Sequence, residues 1–166
     1  MAILLSLPIL GLLLLVQTTI VSRIPLLHGT ADLILLALMA WALQKRNKSS
    51  WHWAIVGGAL VSIASGLPLG IPLLGYGLAN GMALVVRRFI WQVPILAMFV
   101  VTILGTIITH IVSIVALSLM GVTIPLSQAL ISITLPSGVL NLLAALPAYA
   151  ILTDIARWLY PETIQV

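Results

Sequence analysis

Six apolar runs follow one another along this chain, and the breakers between them are too short to be linkers. The runs cover residues 2 to 22, 30 to 44, 51 to 66, 72 to 87, 92 to 119 and 128 to 159. A bilayer core of about 30 Å is crossed by roughly 20 apolar residues in helical form, since the backbone must bond to itself where there is no water. The pattern predicts an all-α integral membrane protein: a six-transmembrane-helix bundle forming a single domain over residues 1–166. With 62% hydrophobic and 6% charged residues, the chain has too few polar side chains to cover a water-facing surface. The first run lacks a basic leading stretch and a small-residue cleavage site, so it reads as a first span rather than a signal peptide.

Lys45, Arg46, Lys48, Arg87, Arg88 and Arg157 fall on one side of this topology and Arg23 alone on the other. Cytoplasmic loops keep their cations, which places both termini in the cytoplasm of a multi-pass protein. Trp41, Trp51, Trp53, Trp91 and Trp158 all fall at the same ends of the spans, as expected of indoles held at the headgroup level with a hydrated N–H. The net charge of +4 comes from scattered loop residues and makes no face that could follow a phosphate backbone, so no nucleic-acid partner is expected. The basic loop at 44 to 50 is a topological signal that also suits anionic lipid headgroups. The last two runs exceed a membrane normal, and strong tilt or partial exposure around Pro125 to Pro136 would absorb the excess.

Catalytic constellations are not legible. An aspartyl dyad needs two carboxylates sharing a proton, but Asp32 falls near the outer end of the second run and Asp154 near the inner end of the sixth. Asp32 reads as a helix cap beside Thr30 or as a partner-binding charge. "ASG" and "PSG" are too short to signal a serine nucleophile, no two histidines have ligand spacing, and there is no cysteine. The reading is therefore of a non-enzyme with no metal and no cofactor. Thr102, Thr106, Thr109, His110 and Ser113 recur at three- and four-residue spacing, which aligns hydroxyls and an imidazole on one face of the fifth run. Such a stripe either lines a small-molecule cavity or bonds helices together, with threonines also bonding their own carbonyls.

Residues 65 to 81, "SGLPLGIPLLGYGLANG", hold a tight outer turn and then a small-residue helix face. Gly77 and Gly81 form G-x-x-x-G, with Gly70 and Gly75 upstream and Asn80 between, a spacing that lets helices approach closely. Asp32, Gly66, Gly70, Gly75, Gly77, Asn80 and Gly81 are the expected partner-binding residues.

"TADLILLALMAWALQKR" (30 to 46), "GALVSIASGLPLG" (58 to 70) and "LLAALPAYAILTDIARWL" (142 to 159) resemble, in order and spacing, the rod shape-determining protein MreD family. Ala31-Asp32 matches the family's Asp at the opening of the second span. Gly58, Ser65, Gly66, Leu69 and Gly70 match its outer turn, where Ser62 stands in place of the usual aspartate. The resemblance implies a non-enzymatic scaffold in the bacterial cytoplasmic membrane that supports peptidoglycan synthesis and cell shape. It implies MreC as partner through the membrane and the outer turns, with MreB and the elongation transpeptidase and glycosyltransferase reached directly or through MreC. The competing resemblance is to the substrate-binding S component of energy-coupling-factor vitamin transporters, which share the six-span architecture. Against it, "AILLSLPILGLLLLVQ" has no A-x-x-x-A docking repeat, and the outer loops offer few polar groups for a vitamin.

Overall fold

The computed structural model describes residues 2–44, 49–68, 70–90, 92–122 and 125–160, with the side chains of residues 2 and 3 excepted. Lys45, Arg46, Lys48, Leu69 and Trp91 lie outside the described residues. The described chain is helical throughout: α1 (Ala2–Thr19), a 3-10 turn (Val21–Arg23), α2 (Leu33–Leu43), α3 (Ser50–Ala64), α4 (Ile71–Phe89) and α5 (Pro94–Leu119). A short α6 (Leu126–Ala129) then leads through a π-helical turn (Leu130–Thr134) into α7 (Leu135–Leu159).

Prolines mark several of these starts, since a residue without an N–H costs nothing in the first turn. Pro72, Pro94 and Pro136 occupy the first or second position of α4, α5 and α7. Gly70 precedes α4 at φ +101°, a left-handed backbone that turns the chain into that helix.

Among the described residues, three helices are long and apolar enough to cross a membrane: α1 with the 3-10 turn after it (Leu4–Arg23), α5 (Pro94–Leu119) and the run from α6 through α7 (Leu126–Leu159). Their outward side chains are mostly apolar, among them Leu7, Leu12, Ile103, Ile111, Leu143 and Ile151.

The short α2 is the axis of the fold. Its side chains from Ile34 to Leu43 are all buried, because α1, α3, α4, α5 and α7 pack around it. A helix apolar on every face has no wet side to present, so the center of the bundle is its only stable place. Eleven residues make only about 16 Å of helix, roughly half a bilayer core. The helix expected over 30 to 44 thus begins later, at Leu33. Residues 24 to 32 form no helix and run as a strap toward the start of α2.

The central position of α2 also revises the tryptophans. Trp41 and Trp53 are fully buried and stack on each other with ring centroids 4.0 Å apart, while Trp51 and Trp158 are exposed. Rather than reaching headgroup water, the Trp41 indole N–H lies 3.4 Å from Ser49 Oγ. Arg87 likewise does more than mark topology. Its guanidinium donates to the Ala42 and Gln44 carbonyls, each at 2.9 Å, and so closes the C-terminal end of α2.

Candidate functional site

The polar groups of five helices meet at the N-terminus of α2. Asp32 caps that helix, with Oδ1 accepting the Leu35 N–H at 2.9 Å, which satisfies one of the orphan donors of the first turn. Its Oδ2 accepts the Tyr76 hydroxyl of α4 at 2.6 Å. Gln17 of α1 accepts the Ile34 N–H through Oε1 at 3.2 Å. From α7, Asn141 accepts the Asp32 N–H through Oδ1 at 2.7 Å and donates from Nδ2 to Thr106 Oγ1 of α5 at 2.9 Å. The Asp32 carboxyl thus faces a phenol hydroxyl, a backbone N–H and the positive end of a helix.

Its depth follows from helix counting. Thr106 is the thirteenth of the 26 residues of α5, and Asn141 the sixteenth of the 34 from Leu126 to Leu159. Both sit at the middle of helices long enough to cross the membrane, so the node they share with Asp32 lies at mid-depth of the bundle. Asp32 stands at a helix end, as expected of a cap, but that helix is of half length, and its other end is held by Arg87.

The strap that leads to Asp32 is fastened along α7 at every second residue. The His28 N–H donates to the Ser132 carbonyl at 3.2 Å, Thr30 N–H to Ser137 Oγ at 3.1 Å, and Asp32 N–H to Asn141 Oδ1 at 2.7 Å. Two extended residues advance about 6.6 Å and four to five helical residues about 6 to 7.5 Å, so the donors of one element meet the acceptors of the other in step. Pro136 has no N–H with which to bond Ser132 four residues back, leaving that carbonyl for the strap. Gly29 is required at the crossing: a Cβ there would lie 2.5 Å from the Ser137 nitrogen and 2.8 Å from the Ile133 oxygen.

No family model, curated protein or solved structure matches the chain.

The remaining predicted residues are spread over several helices and do not join this node. Thr106 bonds the Thr102 carbonyl, Thr109 those of Gly105 and Thr106, and Ser113 that of Thr109, all within α5. His110 Nδ1 lies 3.0 Å from Thr134 Oγ1 in the π-helical turn. The glycines share no single seam. Gly75 faces Thr109 of α5 and Gly81 the ring of Trp51, whereas nothing lies within 4 Å of a Cβ built on Gly66, Gly70 or Gly77. Asn80 is fully buried, accepting the Ser50 hydroxyl at 2.5 Å, with its Nδ2 unpartnered among the described residues. Ser62, at the position of the MreD-type aspartate, is buried with its hydroxyl likewise unpartnered. Asp154 lies apart on α7, exposed and 3.6 Å from Arg157.

Gln17, Tyr76, Ser137 and Asn141 complete the node and were not among the predicted residues. A signal for two of them exists in the sequence: Ser137 and Asn141 are four apart, on one face of an otherwise apolar helix. Nothing in the sequence gave that face a partner.

Proposed function

We propose that this chain is a membrane scaffold of the MreD kind, a non-enzymatic subunit that positions an MreC-type partner for lateral-wall peptidoglycan synthesis. In this reading it is a six-span bundle of the bacterial cytoplasmic membrane with both termini inside. The second span is half helix and half strap: about 16 Å of α2, and at most about 13 Å more from Asp32 out to His28, together match a bilayer core.

The observation that carries the reading is how the polar side chains are used. Tyr76 with Asp32, Asn141 with Thr106, Gln44 with Thr153 and Ser50 with Asn80 bond helix to helix inside the bundle. What remains outside is largely apolar surface with open small positions on it, among them Gly77 beside the exposed Leu74 and Leu78 on α4. A scaffold needs that combination, a rigid interior and a helix face on which another transmembrane helix can seat closely. Coexpression with the genomic neighbors followed by affinity purification tests it. Recovery of an MreC-type bitopic protein, diminished by Gly77→Ile at equal chain level, is the expected result. Capture unaffected by Gly77→Ile would remove α4 from the interface, and absence of such a partner would remove the scaffold.

The transporter reading, an S component, draws on the depth of Asp32. Half-helices whose N-termini end at the membrane midplane beside polar groups are how many transporters hold substrate. Copurification of a vitamin with ATPase subunits would decide for it.

A further inference from the structure

The strap covers a line of polar groups that leads from the outer end of α7 to mid-depth. In order inward these are the Ser132 carbonyl, Ser137 Oγ, Asn141 and then Thr106 across on α5. Ser137, Asn141 and Thr106 are 3%, 1% and 1% exposed, so this line is closed to solvent while the strap is docked. One turn inward from Thr106, the Thr102 hydroxyl is fully buried and unpartnered among the described residues. An orphaned hydroxyl at the end of a polar line is a position that a water molecule would satisfy.

The strap itself is built unlike a permanent plug. Its outer tip is a tight turn in which Leu26 and Gly29 bond each other through both backbone pairs at 2.9 Å. Leu27, inside that turn, sits at φ +56°, a left-handed conformation that a leucine adopts at a cost. Leu27 and Ile24 are exposed, so little apolar packing holds the tip down. Three hydrogen bonds from backbone N–H groups, one to the Ser132 carbonyl and two to the side chains of Ser137 and Asn141, and the close seat of Gly29 do most of the fastening. Undocking would release the strain at Leu27 and expose donors and acceptors that only water could satisfy, which ties opening to hydration.

We propose that residues 24–31 are a gate on this polar line, and that its movement controls the access of water to Ser137, Asn141 and the N-terminus of α2 beyond them. The gate goes beyond the scaffold reading and does not depend on which partner the chain binds. When it is docked, Ser137 and Asn141 are closed to solvent and bonded to the strap. When it lifts, water replaces the strap along Ser137 and Asn141 and reaches the N-terminus of α2.

The absence of cysteine makes the test direct, since any introduced thiol is unique. Ser137→Cys in the full chain, in lipid nanodiscs, is treated with a charged, membrane-impermeant methanethiosulfonate. Leu27→Cys, exposed, and Leu38→Cys, buried in the core, give the fast and slow limits. The expected rate at Ser137→Cys lies between them. Adding Gly29→Leu, which the strap cannot seat, raises it about tenfold, and adding Leu27→Asn, which relieves the left-handed strain, lowers it severalfold. A rate equal to the core limit in all three backgrounds overturns the gate, as does one equal to the Leu27→Cys limit in all three. Should Gly29→Leu fail to give a monodisperse protein, the comparison with Leu27→Asn decides alone, and an unchanged rate there counts against the gate.

Discussion

The Tyr76 hydroxyl donates to Asp32 Oδ2 at 2.6 Å, binding the start of the central helix to α4 at mid-depth of the bundle. Because the cap of α2 supplies the carboxyl and α4 the phenol, removing either group loses the bond between them, and removing the carboxyl leaves the buried Tyr76 hydroxyl without it. Tyr76→Phe should lower unfolding stability by about 1–3 kcal/mol, read as a falling midpoint of thermal unfolding in detergent. Asp32→Ala should cost at least as much, since it also removes the cap on Leu35. An unchanged midpoint for both variants would mean that the pair is not closed in solution.

Gly29 and Gly138 offer a matched comparison, one enclosed and one open. A Cβ at 29 meets backbone atoms of residues 133 and 137 under 3.0 Å, whereas at 138 it meets nothing within 4 Å. Gly29→Ala is expected to destabilise the chain, and Gly138→Ala to be neutral or slightly stabilising, as usual for a helical glycine replaced by alanine. Equal midpoints for the two variants would show that the strap does not rest on α7.

Asn141 holds both Asp32 and Thr106, so Asn141→Leu should loosen the strap and α5 together. Hydrogen exchange locates the effect. The Asp32 amide should exchange at least tenfold faster in the variant, while amides in the middle of α2 change little. Exchange spread evenly over all helices would instead indicate global destabilisation.

The tryptophans divide into two quenching classes. Trp51 and Trp158 are exposed and should be quenched by acrylamide or by brominated lipid, while the stacked Trp41 and Trp53 should resist both. Trp41→Ala opens the center of the core and is expected to cost about 3–5 kcal/mol. Quenching of all tryptophans alike would contradict the central place of α2.

Of this fold, the helices were legible and their ranks were not. The apolar runs and the prolines at 72, 94 and 136 marked where helices lie and near which residues several begin. Nothing local distinguished α2 from its neighbors, because an apolar sequence reads alike whether lipid or protein surrounds it. Asp32 and the polar stripe on α5 stood out as polar groups in apolar runs. Their partners Gln17, Tyr76 and Asn141 are separated from them by 15 residues or more, and those pairings exist only once the helices pack.

By itself, then, the sequence determined that this chain is helical, with segments long and apolar enough to cross a membrane, and where its breaks fall, since hydropathy and the need to bond the backbone act locally. Tertiary structure decided which helix is central, that a strap rather than a helix leads into it, and that Asp32 stands at mid-depth of the bundle. Those depend on which helix faces meet, and in lipid that choice is set by packing and hydrogen bonds between segments distant along the chain.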